Sequence, residues 1–67
     1  MSVAKVIEIS SASKTSVEDA VRSGLRKVAE TVQGIQGAWI SETKVETDGE
    51  GNVLEWRVSL RVTFIVQ

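Results

Sequence analysis

The chain has 67 residues, no Cys and no His, and nine acidic against eight basic side chains for a net charge of -1. A single domain spanning residues 1–67 buries only about 60% of its unfolded surface. Without Cys or His, the core cannot be supplemented by disulfides or zinc, and thiol or imidazole catalysis is excluded.

The balanced charge lacks the basic field that holds nucleic acid. No apolar run approaches the ~20 residues of a membrane span, and "MSVAKVIEIS" lacks the layout of a signal peptide. A cytoplasmic protein is the expectation. Oligomerisation remains as the means of completing a small core.

In chain order, "AKVIEIS" is rich in Val and Ile and alternates, which predicts a short strand from Ala4 to Ser10. The polar turn "SASKTS" follows. Ser16, with Asp19 three residues on, is a variant capping box and marks a helix start. Val17, Ala20, Val21, Gly24, Leu25, Val28 and Val32 then recur at helical spacing on one face. Glu18 with Arg22 and Arg26 with Glu30 form i,i+4 pairs, each worth roughly 0.2–0.5 kcal/mol. Gly34 and Gly37 predict the helix end near Gln33.

Two further strands are expected, Ala38 to Thr47 and Val53 to Val66, joined by "DGEGN", whose glycines favour the positive φ of hairpin turns. Asp48, Glu50 and Asn52 alternate there in a superficially calcium-like way. An EF-hand loop needs more ligands and a closing Glu at its twelfth position, so the segment reads as a turn and no metal ligand is assigned.

The order is therefore β-α-β-β, an α+β fold with a three-stranded antiparallel-type sheet packed on one helix. The third strand sits between the other two. One helix covers one face only. On the second strand, Ala38 and Ile40 are expected to point one way and Trp39 and Val45 the other, so neither face is cleanly polar. The last strand alternates from Leu54 through Trp56, Val58, Leu60, Val62 and Phe64 to Val66, and its fourteen residues span about 45 Å. Burial between subunits resolves this excess of apolar surface.

With no His, Cys or Tyr, an enzyme would depend on paired carboxylates or an activated Lys, and the acidic residues fall mostly in turns or on solvent faces. No catalytic residue is assigned. For Trp39 and Trp56, hydrophobic anchoring of a subunit contact competes with a ligand role. For Arg57 and Arg61, salt bridges to Glu42, Glu46 or Glu55 compete, and Arg61 is the residue better suited to one.

The conjunction of "KVIEI", a Ser/Thr-rich turn, a helix ending "AETV", an acidic-glycine hairpin and "WRVSLRVTF" resembles the dodecins, small proteins that assemble as hollow dodecamers and in many members bind flavin. The resemblance implies a non-enzymatic homododecamer whose long last strand is wrapped by neighbouring protomers. It also implies storage of riboflavin or FMN, with calcium-binding or purely structural relatives as the alternative.

In flavin-binding members a Trp stacks on the isoalloxazine ring and a polar residue of the last strand, often Gln, bonds to the ring edge. Counting from "ETV", the stacking position is Gly37, and this chain carries Trp39 two residues later, on the same face but about 6–7 Å along the strand. The edge position matches Arg57, which lacks the paired donor and acceptor of an amide. Gly37, Trp39 and Arg57 are thus the candidate cofactor-binding residues.

Overall fold

The computed structural model describes residues 3–66. Four elements follow in order: β1 (Val3–Ser13), α1 (Val17–Ala29), β2 (Ile35–Thr47) and β3 (Val53–Val66). The strand order is β1-β3-β2, and both pairings are antiparallel. This is the β-α-β-β arrangement expected from the sequence.

β1 runs beyond the expected Ser10 because β3 offers it partners along its whole length, from Val3 opposite Val66 to Ser13 opposite Trp56. Ser10, Ser11 and Ser13 have little strand preference of their own, and the ladder overrides it. At the strand end Ser13 is buried. Its hydroxyl donates to the Asp19 carboxylate at 2.6 Å and accepts from the Thr15 amide at 2.9 Å.

Helix α1 begins as its cap chemistry dictates. Ser16 is extended, and its Oγ accepts from the Asp19 amide at 3.0 Å. Acidic Glu18 and Asp19 occupy the first turn and basic Arg26 and Lys27 the last, both favourable to the helix dipole. The helix ends at Ala29, four residues before the expected Gln33. The Glu30 amide closes a tight bond to the Lys27 carbonyl, and the Thr31 and Val32 amides share the Val28 carbonyl, which ends the ladder. Gly34 serves a different purpose from the expected cap. At φ 79° its carbonyl accepts from the Ile65 amide at 3.0 Å and seats the start of β2 on β3. The Glu18–Arg22 pair forms at 2.7 Å, whereas Glu30 pairs with Lys27 at 3.5 Å in place of Arg26.

The core is small: Ala20, Val58, Leu60 and Val62, with Ile7, Ile9, Val17, Val21, Leu25 and Ile35 packed around it. At Gly24 the helix backbone approaches β1 so closely that an added Cβ would lie 2.9 Å from the Ser11 Cβ. The helix packs mainly against β1 and β3. β2 is left without a covering layer.

β2 differs from the expected simple alternation. Register shifts occur between Ile35 and Gly37, Ile40 and Glu42, and Glu46 and Thr47. The middle one is a bulge at Ser41, whose hydroxyl donates to the Ser59 carbonyl at 3.1 Å. Residues directly opposite each other share a sheet face. Ala38 opposite Val62, Ile40 opposite Leu60 and Val45 opposite Trp56 therefore all face the helix side, while Trp39 opposite Arg61 faces away. The expectation that Val45 shares the face of Trp39 is corrected by this bulge, which inserts one residue and reverses the alternation beyond it.

Candidate ligand surface

The sheet face turned away from the helix carries all three candidate residues, contributed by β2 and β3. Gly37 opposes Thr63, Trp39 opposes Arg61, and Lys44 opposes Arg57. Gly37 and Trp39 are two residues apart within one stretch of continuous pairing, so they share this face. A Cβ at Gly37 would meet no atom within 4 Å, and the Trp39 side chain is 61% exposed. The Thr63 hydroxyl donates to the Gly37 carbonyl at 3.1 Å and fixes the strand beside this open strip.

Trp39 and Arg57 do not meet within the protomer. Their register positions on β3 differ by four residues, about 13 Å. Arg57 lies among carboxylates instead, with its Nε 3.9 Å from Glu46 and a terminal nitrogen 3.7 Å from Glu55, while Lys44 approaches Glu46 at 3.5 Å. These exposed pairs are longer than hydrogen bonds and weak in stability terms, at about 0–1 kcal/mol each. They do nonetheless hold the guanidinium near negative charge. A shallow groove of ≈ 240 Å³ runs between Glu42, Lys44, Glu46 and Arg57, with Ser10 and Ser59 beside it.

The residue that joins Trp39 is Arg61. Its guanidinium carbon lies 5.9 Å from the indole centroid, a cation–π contact. Among the described residues no carboxylate reaches ion-pair distance of Arg61, although Glu8 is its cross-strand partner on β1. Within the protomer Arg57 lies beside carboxylates, and Arg61, the residue better suited by sequence to a salt bridge, rests on the indole of Trp39. Only the register between β2 and β3 could have revealed this, and that register depends on the bulges.

In the hairpin, the Asp48 carboxylate accepts from the Glu50 amide at 2.8 Å and from the Asn52 amide and side-chain nitrogen at 3.0 Å each. These bonds, led by the one from the Asn52 side chain, lower the Asp48 pKa below its ordinary value. Gly51, at φ 86°, completes the turn. The acidic-glycine segment is thus occupied by its own backbone. Among the described residues no group of three or more Asp and Glu side chains converges as a metal site, and no helix is long and apolar enough to cross a membrane.

Comparison with known proteins adds a family to this geometry. Residues 3–67 match the family model described as Dodecin. An arginine-to-alanine mutant of the dodecin from Thermus thermophilus superposes with a TM-score of 0.92 at 24% identity, covering 100% of this chain and 98% of that one. The dodecin of Streptomyces davaonensis gives 0.91 at 21% identity, with 98% and 96% coverage. The calcium dodecin of Mycobacterium tuberculosis, described as a calcium-chelating immunodominant antigen, gives 0.82 at 31% identity, with 97% and 91% coverage. No match is found among curated protein sequences.

Proposed function

This chain belongs to the dodecin family, and from that premise we propose that it is a non-enzymatic, homododecameric shell that sequesters a flavin, riboflavin or FMN, against Trp39. The observation that carries this reading is the indole itself: exposed, beside the open strip over Gly37, on the sheet face the helix leaves bare. An isoalloxazine ring laid on the indole gains contact area and π-stacking in one geometry. Stacking also brings an electron donor against the excited flavin, so the bound cofactor is dark and shielded from photochemistry. Arg57 supplies donors to the ring edge from a neighbouring protomer. The apolar surface on β2 and at both ends of β3 drives the assembly that brings such neighbours together.

Titration of the purified assembly with each flavin tests the reading. Strong quenching of flavin emission is expected, and Trp39→Ala loses about 1–3 kcal/mol of binding, the scale of one aromatic stack, with unchanged thermal stability. The absence of quenching at tens of micromolar flavin would overturn it.

A second reading has one observation in its favour, the 31% identity to the calcium dodecin. On that reading carboxylates contributed by several protomers converge on a cation. Stabilisation by Ca2+ of a protein that quenches neither flavin is the result that would select it.

A further inference from the structure

We propose that Arg61 makes the Trp39 surface selective for planar aromatic ligands that carry an anionic group, so that FMN is preferred over riboflavin. This rests on the reading that Trp39 stacks a flavin. It goes beyond that reading by naming the residue that distinguishes the two ligands and by assigning the phosphate to Arg61 in place of Arg57.

Arg57 and Arg61, four residues apart on β3, lie on the same sheet face. Arg57 already has the carboxylates of Glu46 and Glu55 within 4 Å, so an incoming phosphate there meets negative charge as well as positive. Arg61 has Glu8 opposite it on β1 but no carboxylate within 4 Å among the described residues, and its guanidinium rests on the indole face. An exposed cation–π contact is weak, whereas a guanidinium offers phosphate two parallel charge-assisted hydrogen bonds. Arg61 therefore exchanges the ring for the anion at small cost.

Its position favours this exchange. Arg61 is the direct cross-strand neighbour of Trp39, so a ligand ring on the indole brings its substituents within reach of a long, exposed side chain. Riboflavin displaces the guanidinium and gives nothing back. FMN displaces it and then binds it.

The test is a pair of titrations, riboflavin and FMN, followed by flavin quenching on the assembled wild-type protein and on Arg61→Gln, Arg61→Lys and Arg57→Gln. Wild type is expected to prefer FMN by about tenfold, as one charge-assisted contact implies, with the preference shrinking at high salt. Arg61→Gln should abolish the preference by weakening FMN while riboflavin binds equally well or better. Arg61→Lys should retain part of it, since the charge remains and the fork is lost.

An FMN-to-riboflavin ratio unchanged in Arg61→Gln overturns the inference and leaves the flavin reading standing. So does loss of the preference in Arg57→Gln alone. No quenching of either flavin by wild type overturns the flavin reading and the inference with it. Should Arg61→Gln fail to assemble, Arg61→Lys carries the decision: full retention of the FMN preference at high salt would overturn the phosphate contact.

Discussion

The strip of sheet beneath the helix and the flank formed by β2 are built from similar residues and meet opposite fates. Under α1, Val58, Leu60 and Val62 are at most 1% exposed. On the flank and at the ends of β3, Ile40, Val45 and Leu54 face the same side of the sheet and remain 51%, 39% and 55% exposed. The sequence pattern is equally apolar in both places. The difference is one of coverage, because a helix of 13 residues is only about 20 Å long against a sheet whose longest dimension approaches the 53 Å extent of the whole protomer. A second layer is missing over the flank, and a monomer cannot supply it.

The comparison is broken most forcefully from the covered side. Val62→Asp places an unpaired charge in the fully buried strip and should cost about 3–5 kcal/mol, enough to leave the protein unfolded or insoluble by circular dichroism and sedimentation. A soluble variant with the wild-type thermal midpoint would mean that the helix-covered strip is not the core.

Ile40→Asp makes the matching change on the flank. In a lone protomer a half-exposed position tolerates it. In an assembly that buries β2 it should cost about 2 kcal/mol per contact, seen as a smaller species in light scattering and a concentration-dependent midpoint. An intact assembly with an unaltered midpoint would place β2 in solvent.

How far the sequence disclosed these features depends on the range of the interaction that decides each one. Element order, the position of β3 between its partners and its bounds at Val53 and Val66 were legible, because periodicity and the "DGEGN" turn are local signals. The helix end was not. Gly34 looked like a cap, and its left-handed backbone is instead used by the bond from Ile65, a contact 31 residues away in the chain. Nor was the facing of Val45, since nothing in "WISETKV" announces a bulge at Ser41. The candidate surface suffered for the same reason: Trp39 was visible as a residue, but its partnership with Arg61 exists only once β2 and β3 are in register.

A smaller effect sharpens the contrast at the helix. Exposed helix positions gain from Ala over Gly, by about 1 kcal/mol. At Gly24 the new Cβ would sit 2.9 Å from the Ser11 Cβ, which belongs to the strand and cannot swing aside. Gly24→Ala should therefore destabilise, by about 1 kcal/mol net of the propensity gain, in denaturant unfolding. Stabilisation would show that α1 lies further from β1 than the close approach implies.

The smallest effect lies at the hairpin tip, remote from both strips, where charge and hydrogen bonding act without burial. Asp48 is bonded as a carboxylate by the Glu50 amide and by two nitrogens of Asn52, and its pKa is lowered on folding. Between the folded and unfolded pKa values the unfolded chain binds more protons, so stability rises with pH there. The contribution is fully present above the unfolded value, about 4 for a free Asp, and disappears as pH falls through the lower folded value. Asp48→Asn removes the titration. Its thermal midpoint should lie below wild type by a constant margin from about pH 5 to 7, and the two curves should converge as the pH falls below about 4. A margin that persists undiminished at pH 2 would mean that the carboxylate's charge contributes nothing to the turn. The loss would then come from the geometry of the substituted amide alone.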